Sequence, residues 1–200
     1  MSRKILIVCA MALLLTGCNS EEATNPAPDA SDNTTPETSS GSGFAVTSEN
    51  TKVLFVGTKK SGDSQAGGFK EVSGTIGVEG DKITSVNVVI QVDSLFSGQD
   101  KLTGHLKNED FFSVKEFPEL TFASSKVEGS GEVTITGELN MHGQTGEISF
   151  PATVSVTDGN VKLDAKFKVD RTKFGMNYTG QPDNPINAEV DIEISVGAES

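Results

Sequence analysis

The alternation of apolar and polar side chains that begins at Phe44 constrains the fold of this chain more than any other feature. It is clearest at 85–93, 133–141, 148–156, 162–170 and 189–196, and weaker versions occupy 53–58, 69–78 and 120–127. A repeat of two residues is typical of β-strands that bury one face and expose the other. We therefore predict eight strands between Phe44 and the C-terminus.

Short turn sequences separate these predicted strands. Glu79-Gly80-Asp81, His142-Gly143 and Asp158-Gly159-Asn160 contain the residue types that tight turns require. Strands joined by such short turns pair antiparallel, and closing the sheet into a barrel removes its exposed edges. The predicted fold class is all-β, a single antiparallel eight-stranded barrel with one or two short helices. A two-sheet sandwich is the alternative.

The segment 100–110 interrupts the alternation. Leu102 and Leu106 are four residues apart, which is the spacing of one helical face, and a capping-box pattern runs from Ser97 to Asp100. We predict a short helix that ends near Phe111, with Pro118 opening the next strand.

A second interruption, GTKKSGDSQAGG at 57–68, predicts a polar loop. It lacks the strand and helix that would flank a dinucleotide-binding glycine motif. Lys59 and Lys60 are candidates to contact an anionic headgroup at a barrel mouth, although a solvated loop is the favoured interpretation.

The N-terminus has the pattern of an export signal. Arg3 and Lys4 precede an apolar run that is too short to span a bilayer, and Leu15-Thr16-Gly17-Cys18 resembles the lipobox of bacterial lipoproteins. We predict a signal peptide at 1–17, a lipidated and disordered tether at 18–43 and the folded domain at 44–200. Cys18 is the predicted lipid anchor, which places the protein in the bacterial cell envelope, facing the periplasm. An ordinary cleaved signal peptide is the alternative.

Charge and residue types exclude several kinds of function. The chain carries a formal net charge of −12, which disfavours nucleic-acid partners. Cys9 leaves with the signal and Cys18 is acylated, so the mature domain has no thiol for a metal site. The only histidines, His105 and His142, lack the spacing of a nucleophile–base pair. We predict no catalytic residue, no metal and no cofactor.

Arg171 differs from the other charged residues because it follows directly on a predicted strand end. Its planar, permanently charged fork suits backbone carbonyls or a carboxylate at a barrel rim. A structural role is favoured over contact with a ligand.

Three sequence blocks resemble the YceI-like family. KLTGHLKNEDFFSVKEFPELTF at 101–122 is similar to the central signature of the family, while 137–145 with Pro151 and 170–175 are similar to its second and third blocks. The resemblance spans about 44–197 and implies a lipocalin-like barrel with a cavity for long-chain isoprenoid lipids such as polyprenyl compounds or quinones. Two departures are Gly57-Thr58, where a histidine is expected, and Gly146-Glu147, which replaces a basic–Pro pair.

These observations predict a binding or carrier protein that holds an apolar, isoprenoid or quinone-like lipid in a slot left by small inward residues, Gly74, Gly137 and Ala165. An eight-stranded barrel is wide enough for one small ligand. The alternatives are a lipid-modifying enzyme using His105 or Asp110, and a packed envelope barrel without ligand. The oligomeric state is not predicted. The residues predicted to line the slot are Phe55, Ile76, Val88, Ile90, Phe111, Phe112, Phe122, Ile135, Leu139, Phe150 and Phe167.

Overall fold

A computed structural model describes residues 43–197 of the chain. The strands are β1 (Gly43–Val46), β2 (Thr51–Lys59), β3 (Ser64–Phe69), β4 (Val72–Glu79), β5 (Lys82–Gln91), β6 (Leu95–Ser97), β7 (Glu119–Ser130), β8 (Glu132–Met141), β9 (Gln144–Thr157), β10 (Asn160–Asp170), β11 (Gly180–Gln181) and β12 (Asn184–Val196). The helix α1 covers Asp100–Leu106, and 3₁₀ turns lie at Val92–Ser94 and Arg171–Phe174. The predicted signal peptide, the Cys18 anchor and nearly all of the tether lie outside the described residues.

The strands form one antiparallel sheet that curls on itself. Its order is β1-β4-β5-β7-β8-β9-β10-β12-β2-β3-β6, and β11 pairs only with β12. The chain passes directly from β5, near one end of this order, through the 3₁₀ turn Val92–Ser94 into β6 at the other end. The Gln91 amide also donates to the Glu71 carbonyl at this junction. The predicted antiparallel, barrel-like fold is therefore confirmed.

The strand count was wrong, because residues 43–197 form twelve strands and not eight. The eight predicted strands correspond to the eight that are longest, and β1, β3, β6 and β11 were missed. Those four are two to six residues long, so they show no sustained alternation.

The polar loop predicted at 57–68 was also wrong. β2 extends to Lys59, and Ser64–Phe69 forms β3, which leaves only a tight turn between them. Backbone pairing with β2 holds β3 in place. The predicted strand 69–78 is in turn broken after Phe69, because the Ser94 hydroxyl accepts hydrogen bonds from both Lys70 N and Glu71 N.

The helix is shorter than the sequence predicted and is capped differently. α1 ends at Leu106, because the chain then turns back on the Asn108 carbonyl, which accepts from Phe111 N and Ser113 N. Gln99 occupies the N-cap and makes no side-chain capping bond. The Ser97 hydroxyl, assigned to a capping box, lies 2.9 Å from Thr103 Oγ1 instead.

The hydrophobic core lies inside the curled sheet. Inward positions alternate along every long strand, so that Ile76, Ile135 and Val161 are almost completely buried. A smaller cluster packs near the end of β10 around Phe174, Met176 and Leu139. The alternation in the sequence thus corresponds to one face that packs in the interior and one that faces solvent.

Candidate functional site

The interior of the sheet contains an elongated cavity of about 520 Å³. This volume lies within the roughly 300–1,000 Å³ typical of small-molecule sites. Val46, Thr51 and Val196, at one end of the lining, are buried, whereas Gln99 and Gln181 on the lining are exposed. The cavity therefore opens to solvent at the end where β2 and β10 terminate and β12 begins.

All eleven residues predicted to line a slot lie on the lining of this cavity. Three of them, Phe122, Phe150 and Phe167, make a continuous aromatic wall. The rings of Phe150 and Phe167 stack 4.2 Å apart, and Phe122 lies 5.6 Å from Phe150. Their predicted role as ligand contacts stays a prediction.

A second aromatic group faces the same space. Phe55, Phe69 and Phe112 have ring centroids 5.6–6.5 Å apart, which is the range of favourable edge and tilted packing. Phe112 reaches the cavity from the segment after α1, so it joins that segment to the β2–β3 wall. The shared chemistry of both groups is apolar and suits an alkyl or prenyl chain.

The small residues predicted to create the slot do not line it. Gly74, Gly137 and Ala165 are absent from the lining, and at the two glycines other atoms fill the space that a side chain would occupy. A Cβ on Gly137 would lie 2.7 Å from the Phe122 ring, and one on Gly74 would lie 2.9 Å from the Val88 Cα. These glycines permit close packing. Gly57, by contrast, lies on the lining, and a Cβ there would meet nothing within 4 Å.

The polar residues at the open end of the cavity are far apart in the sequence and were not predicted as a group. We call this group the mouth. The sequence of β2 contains a pattern that predicts one of these residues. Its inward-facing positions recur at every second residue from Thr51 to Gly57, and the next such position is Lys59. Interpreting 57–68 as a loop concealed it. The mouth consists of Thr58, Lys59, Gln65, Gln99, His105, Arg171, Tyr178 and Gln181.

Arg171 is the buried member of the mouth and ties its own turn to the backbone at Met176 and at Ile186 and Asn187. It is only 5% exposed; its Nε donates to the Asn187 carbonyl at 3.1 Å, Nη2 donates to the Ile186 carbonyl at 3.4 Å, and Nη1 donates to Met176 O. Ile186 and Asn187 lie in an irregularity of β12, where the register with β2 shifts between Ile186 and Val190. The structure shows the favoured structural role, with carbonyl partners.

Electrostatics at Arg171 follow from this burial. Desolvation lowers the pKa of Arg171 from its usual value, and the neighbouring Asp170 opposes this effect. The carboxylate of Asp170 accepts hydrogen bonds from Thr172 N and Thr172 Oγ1, which lowers the pKa of Asp170.

The two histidines occupy different surroundings. His105 lies at the mouth with its ring 5.2 Å from Phe111 and 5.3 Å from Tyr178, so two rings pack edge-on against it. His142 lies in the β8–β9 turn, 4.9 Å from the Phe117 ring. Asp110, the other candidate for an enzyme, is exposed and does not line the cavity. Within residues 43–197, no three His, Cys, Asp or Glu side chains come together as a metal site requires.

Comparisons with known proteins agree with this architecture. The model of the family described as YceI-like domain matches residues 44–198. A UPF0312 protein of Pseudomonas putida (strain GB-1) is 27% identical over 137 residues, which cover 64% of this chain and 71% of the relative. A UPF0312 protein of Pseudomonas savastanoi pv. phaseolicola is 35% identical over 91 residues, 44% of this chain and 47% of the relative.

Solved structures share the fold. BcnA of Burkholderia cenocepacia matches with a TM-score of 0.65 and 24% identity, covering 73% of this chain and 94% of BcnA. A polyisoprenoid binding domain from Saccharophagus degradans, implicated in plant cell wall breakdown, matches with a TM-score of 0.61 and 15% identity, covering 79% of this chain and 99% of that domain. Among the described residues, no helix has the length and hydropathy needed to cross a membrane.

Proposed function

The chain belongs to the YceI-like family, and we propose that it is a carrier which holds one long-chain, isoprenoid or quinone-like lipid inside its curled sheet. The observation that carries this proposal is the cavity of about 520 Å³ whose walls are built from Phe, Ile, Leu and Val side chains. Burial of each CH₂ group of a ligand contributes roughly 0.8 kcal/mol. A long chain therefore needs few polar contacts to bind tightly.

The similarity to a polyisoprenoid binding domain supports a prenyl chain as the occupant. The two aromatic groups around Phe150 and Phe69 supply ring faces along the cavity, and such surfaces pack well against the methyl branches and double bonds of a prenyl chain. We therefore favour a branched, unsaturated chain over a saturated one.

The proposed location is the bacterial envelope. Cys18 and the residues before it resemble a lipobox, and lipid chains on Cys18 would hold the protein stably at a membrane surface. The tether at 18–43 would then let the domain reach lipids at or near that surface. Replacing Cys18 with Ser tests this location, because the variant should move from the membrane fraction to the soluble fraction.

Two other functions were open from the sequence. A packed barrel without ligand is disfavoured by the cavity itself. A lipid-modifying enzyme requires a titratable group that faces the cavity, and His105 is such a group. Its ring packs against Phe111 and Tyr178, which suits a wall residue. An enzyme would show turnover of a bound lipid that His105→Ala abolishes.

The direct test is to identify what the protein carries. Full-length protein is purified from bacterial membranes in mild detergent, extracted with organic solvent and analysed by mass spectrometry. We expect one isoprenoid or quinone-like molecule per chain above the level of bulk membrane lipid. If the extract contains no such molecule and the protein takes up neither added quinone nor polyprenol, the carrier function is refuted.

A further inference from the structure

The charge of the cavity lining is opposite to that of the protein. The chain has a formal net charge of −12, yet the residues that line the cavity include Lys59, His105 and Arg171 and no Asp or Glu. Two cations and no carboxylate on the lining favour a positive potential at this part of the cavity. Such a potential attracts an anion and fixes its orientation.

Lys59 and Arg171 flank the same point of the mouth. Lys59 is the last inward residue of β2, and its partner across the sheet is Ile186 on β12. Arg171, which follows β10 on the other side of β12, donates to the Ile186 carbonyl. The two cations therefore approach one end of the cavity from the two sides of β12.

Neither cation forms an ion pair with a carboxylate of the described residues. Four ion pairs occur among residues 43–197, and Lys59 and Arg171 belong to none of them. Asp170, which precedes Arg171 in the chain, accepts from Thr172, and the Asp63 carboxylate accepts from the Ser61 hydroxyl at 2.8 Å. Lys59 is half-buried as a residue, and a charge-assisted hydrogen bond is stronger at a partly buried site than at a fully exposed one.

We propose that the lipid held in this cavity carries an acidic headgroup, a carboxylate or a phosphate monoester, which binds Lys59 at the mouth. This inference rests on the proposed carrier function and specifies its ligand. Lys59 contacts the headgroup directly, and Arg171 adds positive potential from beneath while its fork remains bonded to backbone carbonyls. A neutral alcohol with the same chain would fill the cavity and lack the charged contact.

The test compares three probes that share one C20 chain: geranylgeraniol, geranylgeranoic acid and geranylgeranyl monophosphate. Tyr178 at the mouth is the only Tyr, and the chain has no Trp, so intrinsic fluorescence reports on this site alone. Each probe is titrated into delipidated full-chain protein at neutral pH, and calorimetry gives an independent Kd. Hydrogen bonds to charged groups predict that at least one acidic probe binds about tenfold tighter than the alcohol.

Variants at two adjacent lysines distinguish a direct contact between Lys59 and the headgroup from the electrostatic field of the whole protein. Lys59→Gln should bring the acidic probes to within about twofold of the alcohol, with all three Kd values measured on the same variant. Lys60→Gln removes the same charge one residue further on, where the side chain is exposed and does not line the cavity, and it should preserve the preference.

The outcomes are distinct. A preference for the carboxylate, the phosphate or both that disappears only in Lys59→Gln supports the inference and identifies the acid. Equal affinity of all three probes overturns the inference and leaves the carrier function intact. An equal loss in both lysine variants also overturns it, because the effect would then be long-range. Failure of all three probes to bind overturns the inference, and the extraction and the uptake of added quinone or polyprenol then decide the carrier function separately.

Discussion

Gly57 offers a way to close the cavity without disturbing the sheet. It lies on the lining between Phe55 and Lys59, and a Cβ added there meets nothing within 4 Å. In Gly57→Phe the new ring therefore projects into the space that the ligand chain would occupy. If the ring displaces about four CH₂ groups, at roughly 0.8 kcal/mol each, binding weakens by about 3 kcal/mol, on the order of 10²-fold in Kd.

The same substitution should not destabilise the unliganded protein, although it weakens ligand binding. Glycine in a strand interior costs roughly 0.5–1 kcal/mol relative to a residue with a side chain, and the new ring contacts the apolar wall. We expect the thermal midpoint of delipidated Gly57→Phe to equal or exceed that of the parent protein. Calorimetric titration with a polyprenol or quinone measures the affinity, and differential scanning calorimetry measures the stability.

Gly104→Phe is the matched control. Gly104 lies on α1, is exposed, has equally open space at its Cβ and does not line the cavity. This variant should bind ligand with the parent Kd. If Gly57→Phe binds as tightly as Gly104→Phe while both remain folded, the ligand does not occupy the described cavity, and the reasoning that links the cavity to function is refuted.

Three further perturbations test the packing and the electrostatics. Gly137→Ala places a Cβ against the backbone of β7 and 2.7 Å from the Phe122 ring. Urea denaturation should therefore show a free energy of unfolding that is lower by about 1–3 kcal/mol. An unchanged midpoint would contradict the close packing. Arg171→Met leaves three carbonyls without the donor that Arg171 provides. The free energy of unfolding in the same assay should fall by at least about 3 kcal/mol. A decrease below about 1 kcal/mol would show that water replaces the guanidinium. Hydrogen bonds from Thr172 hold the pKa of Asp170 below its ordinary value of 3.8, so the stability that they contribute is present above that pH and is lost as the pH falls through the lowered pKa. Asp170→Asn should therefore flatten the acid side of the stability–pH curve, and an identical curve for both proteins would show that Asp170 contributes nothing.

Local periodicity was sufficient to locate the long strands. Each of the eight buries one face, so its apolar residues must recur at every second position whatever the strand pairs with. For the same reason nine of the eleven residues proposed as a lining, those on strands, face the cavity, whereas Phe111 and Phe112 lie on the lining from the segment after α1. The short strands escaped detection because pairing with a neighbour, and not side-chain alternation, holds them in place; β3 is an example, with its backbone bonded to β2.

The sequence by itself determined the class of fold, the inward face of each long strand and the apolar character of the interior, since these depend on residues close together in the chain. Only the tertiary structure decided which end of the cavity is open and which side chains gather there. Lys59 and Ile186 become neighbours through the register of β2 with β12, and the partners of Arg171 depend on the irregularity in β12. Register between strands that are distant in sequence is set by the packing of the whole sheet, so no local pattern contains it.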